Sequence, residues 1–169
     1  LVRKCIDDLA ASRIWLGILR SHYPASFHQI IPTFSLYWIG MLDDFRIWRG
    51  DGAFLRPYLP LAREIMQWFE AHIREDGLPG QIPYAPFIDW AFEAGNAPQE
   101  ENGGSTILAL LLARASHWMS RLERFCGYPE LAPRWERLGA RLKAGVRENG
   151  VCKQSGLVAD TAAGSEFSV

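Results

Sequence analysis

The fold of this chain is decided by residues 31–50, which read IPTFSLYWIGMLDDFRIWRG. Large apolar residues recur there at three- and four-residue intervals, the pattern of one helix face, and they are Phe34, Trp38, Met41, Phe45 and Trp48. Pro32 suits the first turn of a helix, and Gly50 followed by Asp51 indicates a helix end and a new N-cap. We therefore expect an amphipathic helix between Pro32 and Gly50.

Two adjacent carboxylates, Asp43 and Asp44, lie within this predicted helix and allow two interpretations. A carboxylate buried beside aromatic rings loses hydration and needs a partner, whereas a solvated carboxylate carries no functional meaning. Solvated aspartates on the face opposite the core are the commoner case. Asp44 shares a helical face with Met41 and Trp48, so we expect it to be the more buried of the pair if either is buried.

The composition indicates a single globular domain without the charge pattern of a nucleic-acid binder. Of 169 residues, 49% are hydrophobic and 22% are charged, which is enough apolar content for a substantial core. The net charge is -1, and because Lys and Arg are spread along the chain, no basic patch indicates a nucleic-acid partner. No apolar run approaches the roughly 18 to 20 residues that span a bilayer, so no membrane partner is expected.

Motifs for metal, nucleotide or nucleophilic-serine chemistry are not found. The three cysteines are an odd number without a CxxC pair, so we expect reduced thiols in the core; they are Cys5, Cys126 and Cys152. The four histidines show no HxxxH spacing. The chain also lacks GxSxG, P-loop and GxGxxG motifs. We therefore predict no metal ion and no cofactor.

The amino-terminal segment, LVRKCIDDLA, reads as the middle of a helix and begins without Met. It lacks the long apolar stretch of a signal peptide, which favours a cytoplasmic location for the chain. We expect the 169 residues to be one domain that is cut from a longer protein.

Helical periodicity extends over most of the chain and predicts about five helices. Besides the helix at residues 32–50, they are expected at about residues 1–20 with a possible break at 10–12, at 61–74, from the Ser105 cap through Leu122, and from Pro129 through Leu142. Residues 77–104 interrupt this pattern with four prolines and five glycines. A segment of that length without helical period is more often a functional loop than a linker.

Helices in hairpin pairs, joined by short turns and one long loop, are typical of an α/α toroid or of a solenoid. No repeat of about 30 to 45 residues favours the solenoid. The choice between these two architectures is left open by the helix pattern.

Four segments of the chain carry a resemblance to a known family. They are IIPTFSLYWIGMLDDFRIWRGDGAFLRPYLPLAREIMQWFE, GLPGQIPYAPFIDWAF, NGGSTILALLLARA and GLVADTAAGSEFS. In the same order, and over about residues 26–169, they resemble the catalytic domain of bacterial α-L-rhamnosidases, which are six-hairpin glycoside hydrolases. The resemblance implies an all-α fold in which helical hairpins form part of an (α/α)6 barrel.

The same resemblance implies an enzyme that hydrolyses terminal α-L-rhamnosides with inversion, using a carboxylic acid and a carboxylate base. In the family the acid precedes the helix that SLYW resembles, in an acidic, Trp-containing segment, and the base is a Glu well after the segment that contains FS. Neither group has a counterpart in this chain. We expect the chain to be the middle part of the toroid and to be inactive alone.

Substrate contact is what the resemblance carries over to this chain. The Asp-Trp pair of the family's loop matches Asp89 and Trp90, where an indole would stack on a deoxy sugar and a carboxylate would accept from hydroxyl groups. The alternative is local loop packing with an Asx turn. Further candidates are Asp44, Trp38 and Glu100, although Asp44 also fits a solvated role and Glu100 a solvated run before the Ser105 cap.

Two function classes therefore stay open: a glycoside hydrolase and a non-catalytic α-helical carbohydrate-binding or scaffold module. The expected partner in the first case is a rhamnose-containing glycoside. An open barrel segment would expose apolar surface where further hairpins belong, so we also predict self-association or poor solubility.

Overall fold

The computed structural model describes residues 1–91, 95–99 and 104–162, and these residues form helices without any β-strand. The α-helices of the described part are α1 (Val2–Ala11), α2 (Pro32–Arg49), α3 (Gly52–Leu55), α4 (Leu59–Glu70), α5 (Thr106–Phe125) and α6 (Ala132–Asn149). Short 3₁₀ helices, Arg56–Tyr58 and Pro129–Leu131, lead into α4 and α6. None of the described helices is long and apolar enough to cross a membrane.

The predicted bounds of α2 are confirmed. Pro32 is its first residue, where a missing N–H group has no cost. Gly50 ends the helix at a φ of 62°, a left-handed conformation that glycine adopts without steric strain, and its N–H donates to the Arg46 carbonyl at 3.1 Å. The Asp51 carboxylate then accepts from the Phe54 N–H at 3.0 Å and caps α3, as the sequence predicts.

The first helix is shorter than the sequence suggests and ends at the possible break. The Ser12 hydroxyl donates to the Leu9 carbonyl at 2.6 Å and accepts from the Arg20 N–H at 3.1 Å. Ser12 thereby competes with the helical backbone, so residues 12–20 form a loop rather than two further turns. Helix α4 likewise lies a few residues before its predicted position and ends at Glu70.

The core is one cluster of apolar side chains drawn from all the long helices. The short turn after α5 folds α6 back against it, which confirms the predicted hairpin. Helix α5 also packs against α2 and α4, so it is the centre of the arrangement. Its Ser105 cap is confirmed, because the Ser105 hydroxyl accepts from the Leu108 N–H at 3.2 Å.

Two buried carboxylates connect these helices through ion pairs. The Glu123 carboxylate of α5 accepts hydrogen bonds from Nε and Nη2 of Arg63 in α4, at 2.8 and 2.7 Å. It also accepts from the Trp135 indole N–H at 3.2 Å. Asp43 of α2 pairs with Arg46 at 2.8 Å and with Arg121 of α5. Each carboxylate has lost its hydration and regains partners from neighbouring helices, as burial of a charge requires.

The expectation that Asp44 is the more buried of the two aspartates is wrong. Asp43 is fully buried, and Asp44 is exposed. The reason is that α2 buries the face towards α5, whereas the stripe that contains Asp44, Met41 and Trp48 faces away from it; Trp48 is 81% exposed. Of the predicted apolar face, only Trp38 and Phe45 are buried.

The cysteines also differ from the prediction of thiols in the core. All three are free, but only Cys126 is buried, Cys152 is half-buried and Cys5 is exposed on α1. Burial raises the pKa of the Cys126 thiol, which keeps it protonated.

Candidate functional site

A groove of about 480 Å³ lies where the chain enters α2. One wall is the segment before the helix and its first turn, and the other is formed by residues 85–90 and Asn96 of the long loop. The lining residues are Gln29, Ile30, Ile31, Phe34, Ala85, Phe87, Trp90 and Asn96. We call this feature the aromatic groove, and its size and mostly apolar lining suit a small ligand.

The loop is held over the helix by specific hydrogen bonds. The Thr33 hydroxyl, in the first turn of α2, donates to the Phe87 carbonyl. The loop then folds back on itself, because the N–H groups of Ile88 and Asp89 both donate to the Gly95 carbonyl, at 2.7 and 3.2 Å. Phe87, whose carbonyl is bound by α2, also contacts Trp90, so the helix helps to position the indole.

A row of aromatic rings runs from α2 to Trp90 in the loop. Phe34 contacts Tyr37 and Phe87 edge-on, with ring centroids 6.2 and 6.1 Å apart, and Phe87 contacts Trp90 edge-on at 5.0 Å. These distances and angles are those of favourable aromatic pairs. Trp90 is 83% exposed, so the row ends in an indole that is supported on its inner edge and open to a ligand.

Asp89 and Tyr37 supply polar groups beside the indole. The Asp89 carboxylate accepts from the Ala91 N–H at 2.9 Å, which is the Asx turn that was the alternative interpretation of this residue. Partial burial, together with the negative charge of Asp89, raises the pKa of Tyr37. The Tyr37 hydroxyl therefore stays protonated as a donor, and Asp89 remains exposed as an acceptor.

Asn96 adds an acceptor that the sequence does not single out. Its Oδ1 atom is buried in the groove wall and has no hydrogen-bond partner among the described residues. A buried amide oxygen without a donor is destabilising, and a ligand hydroxyl at this position would satisfy it. No local pattern distinguishes Asn96 from other loop residues, because its role depends on the pairing of Phe87 with Asn96 across the loop.

Of the five predicted site residues, Trp90 lines the aromatic groove, and Asp89 is adjacent to it in the sequence. Trp38 is 1% exposed and its indole N–H donates to the Ile6 carbonyl at 3.3 Å, so it has no ring face for a ligand and is excluded from the site. Asp44 lies ten residues along α2 from Phe34, about 15 Å at the helical rise, and lines a different hollow. Glu100 lies outside the described residues.

Within the described part of the chain, no group of three or more His, Cys, Asp or Glu side chains is arranged to hold a metal ion. The aromatic groove itself has no carboxylate among its described lining residues. Its described lining offers one open indole, an apolar floor and the side-chain amides of Gln29 and Asn96.

Helical hairpins around a central α5, with a groove at the amino-terminal end of α2, define the class of the fold, which is part of an α/α barrel. The chain matches the crystal structure of a GH78 family rhamnosidase of Bacillus sp. GL1 with a TM-score of 0.83. The match covers 95% of this chain and 16% of that chain, at 19% sequence identity. No protein-family model matches the sequence, and no curated protein sequence is significantly similar to it.

This likeness confirms the predicted fold, all-α hairpins that form part of an (α/α)6 barrel. It also agrees with the resemblance to α-L-rhamnosidases in the sequence, at the level of the fold. The chain spans about one sixth of the length of the rhamnosidase that it matches.

Proposed function

We propose that this chain supplies part of the sugar-binding surface of a glycoside hydrolase that acts on terminal α-L-rhamnosides. The observation that carries the proposal is the exposed Trp90 indole, supported by Phe87 at the rim of the aromatic groove. The fold shared with a GH78 rhamnosidase supports the choice of sugar.

The groove suits a 6-deoxyhexose better than a fully hydroxylated sugar. The apolar face of the ring would stack on Trp90, and the methyl group at C6 would lie against Ile31 and Phe34. Ring hydroxyls would donate to the Asp89 carboxylate and to the free Asn96 oxygen. A hydroxyl at C6 would instead be buried against apolar side chains without a partner, which disfavours it.

Hydrolysis with inversion needs an acid and a base whose carboxyl groups are about 6.5 to 9.5 Å apart. Asp89 is a single carboxylate next to Trp90 in the sequence, and none of the described residues that line the groove is a carboxylate. We therefore propose that the acid and the base lie outside these residues, and that the chain by itself binds rhamnose but does not cleave rhamnosides.

The test is a titration with L-rhamnose, followed by the indole N–H resonances of the seven tryptophans in a ¹H–¹⁵N NMR spectrum. We expect one indole resonance to shift, to be assigned to Trp90 by its loss in Trp90→Ala, and the other resonances to remain in place. L-mannose, which carries a hydroxyl at C6, should bind at least about tenfold more weakly. An aryl α-L-rhamnoside should not be hydrolysed.

Trp15→Ala is the matched control, because Trp15 is 84% exposed and lies in the loop after α1, away from the groove. It should leave the titration unchanged, whereas Trp90→Ala should abolish it. Trp90→Ala should also cost less than about 2 kcal/mol of unfolding free energy, since a cost of about 3 to 5 kcal/mol would indicate a core residue. Absence of rhamnose binding by the wild-type chain, or binding that survives Trp90→Ala, would remove the sugar role from this loop.

A second candidate function is a non-catalytic carbohydrate-binding or scaffold module. It is favoured by the lack of any carboxylate among the groove's described lining residues. The two functions separate when the chain is expressed together with the coding sequence on both sides of it. Rhamnoside hydrolysis by that longer protein would support the enzyme, and rhamnose binding without hydrolysis would support the module.

A further inference from the structure

Tyr84, in the long loop that forms one wall of the aromatic groove, has an unusual backbone conformation. Its φ angle is 68°, and it is the one residue other than glycine with a positive φ in the described part of the chain. In this left-handed conformation the Cβ atom of a large side chain is crowded by the backbone, so the residue is strained. Glycine or asparagine would adopt the same conformation at a lower cost.

Buried residues on either side of Tyr84 hold the backbone in this conformation. Ile82 is 7% exposed and Pro86 is buried, whereas residues 83–85 between them are exposed. The Pro86 carbonyl also accepts from the Ala97 N–H at 2.9 Å, which ties this part of the loop to its returning side. The strain at Tyr84 therefore belongs to an anchored segment of the loop.

No hydrogen bond or ring contact of the Tyr84 side chain within the described residues offsets this strain. The residue is 46% exposed, so both its ring and its hydroxyl are accessible to a ligand. Strained residues of this kind are concentrated at ligand-binding sites, where the ligand uses the group that the strain holds in place. The conformation of Tyr84 therefore indicates a function for its exposed ring.

The position of Tyr84 in the chain connects it to the sugar groove. It immediately precedes Ala85, which lines the aromatic groove on the same wall as Phe87 and Trp90. In a terminal rhamnoside, C1 of the rhamnose is bonded to a second unit, which lies next to the rhamnose and beyond the surface that holds it. A tyrosine ring offers an apolar face on which a second sugar ring can stack, with a hydroxyl at its edge.

We infer that Tyr84 is a second stacking platform of the aromatic groove, which contacts the sugar unit to which the terminal rhamnose is linked. The inference rests on the proposed function, because it extends the same binding surface by one sugar. The strained backbone holds the ring at the surface before a ligand arrives. Such pre-organisation reduces the entropy that is lost on binding, and it favours a disaccharide over free rhamnose.

The experiment compares L-rhamnose with a disaccharide of α-L-rhamnose linked to glucose, in the NMR titration that follows the Trp90 indole N–H. We expect the wild-type chain to bind the disaccharide about three- to tenfold more tightly, which is the gain that one added aromatic contact gives. Tyr84→Asn should bind the two sugars about equally, with its affinity for L-rhamnose unchanged. Tyr84→Phe keeps the ring and should retain the preference for the disaccharide.

Thermal unfolding of the same variant separates ligand contact from a structural role. Tyr84→Asn should raise the melting temperature by about 2 °C or more, because asparagine tolerates a positive φ. A residue that served only to pack the loop would lower the melting temperature when it is replaced. Trp15→Asn is the matched control, since Trp15 is an exposed aromatic residue outside the groove and its φ is not positive. It should not raise the melting temperature, and it should leave the preference for the disaccharide unchanged.

The results that overturn this inference differ from those that remove the proposed function. A wild-type chain that binds L-rhamnose as tightly as the disaccharide overturns the inference alone. The same holds for a Tyr84→Asn variant that keeps the full preference, loses affinity for both sugars to the same extent, or melts at a lower temperature than the wild type. If the wild-type chain binds neither sugar, the proposed function fails and the inference fails with it.

Discussion

The two faces of α2 differ in how they treat the same kinds of side chain. Towards α5, the helix buries Trp38 completely and pairs Asp43 with two arginines. On the face of α2 that points away from α5, Trp48 is exposed and Asp44, the residue after Asp43, lines a hollow. The two tryptophans and the two aspartates are thus natural matched pairs.

This difference shows that burial is decided by the neighbouring helices. Trp38 is buried because α1 provides a carbonyl partner from Ile6 and the 3₁₀ helix before α4 provides a ring contact with Tyr58 at 6.1 Å. Asp43 tolerates burial because α5 supplies Arg121. The face of α2 with Asp44 and Trp48 has apolar and charged groups of the same types, and there both side chains are exposed.

The largest effect should come from the tryptophan pair. Trp38→Ala should lower the free energy of unfolding by about 3 to 5 kcal/mol, because it removes a large buried side chain and leaves a cavity. Trp48→Ala should change it by less than about 0.5 kcal/mol. Urea denaturation measures both changes in the free energy of unfolding. A low protein concentration is used because self-association would add to the apparent stability. Equal costs for the two variants would contradict the orientation of α2.

The aspartate pair should give the second largest effect. Asp43→Ala leaves Arg46 and Arg121 without their carboxylate, and we expect a loss of about 2 to 4 kcal/mol. The loss should be below that of a fully enclosed pair, because both arginines reach solvent. Asp44→Ala, one residue further on, should cost less than about 0.5 kcal/mol in the same denaturation experiment. A larger loss for Asp44→Ala than for Asp43→Ala would reverse the assignment of the two faces.

The smallest effect concerns an ion pair at the surface, far from both faces of α2. Arg13 donates to Glu64 at 2.7 Å and thereby ties the loop after α1 to α4. This hydrogen bond lowers the pKa of Glu64 below its usual 4.5. A lowered pKa in the folded state means that the contribution of Glu64 to stability is complete above pH 4.5 and is lost as the pH falls through the lowered value.

Glu64→Gln should therefore reduce the melting temperature slightly at about pH 7 and leave it close to that of the wild type at about pH 3. The difference at neutral pH should also shrink in high salt, because the pair is partly exposed. Melting curves over this pH range test the expectation. A difference that is independent of pH would mean that Glu64 acts through packing and not through its charge.

The helix ends could be predicted because they depend on neighbours in the sequence. Gly50 ends α2, and Asp51 and Ser105 cap the following helices, through contacts that span three or four residues. The end of α1 was predicted too late, because the Ser12 hydroxyl is held by Arg20, on the far side of a loop. Local chemistry identifies a possible break there, and only the closed loop decides that the helix stops.

The candidate site was predictable to the same extent. The tryptophan and aspartate of the loop stand out as an adjacent pair in a long segment without helical period. The structure places Trp90 in the lining of the aromatic groove, and the role of the pair in sugar binding stays a prediction. The part played by Asn96 could not be predicted, since it depends on loop closure opposite Phe87. Trp38 is a site candidate in the sequence, but it is 1% exposed and its indole N–H donates to the Ile6 carbonyl of α1, a contact between distant parts of the chain.

By itself, the sequence determined an all-α chain of helical hairpins, the bounds of α2, the caps of α3 and α5, and the position of a long aromatic loop between helices, because periodicity, capping and turn chemistry act over a few residues. The tertiary structure alone decided which of Asp43 and Asp44 is buried and which tryptophans are open to a partner. Adjacent residues on a helix differ in direction by about 100°, so a small rotation of α2 against α5 exchanges their environments. That rotation is set by the packing of whole helices, which no short stretch of sequence contains.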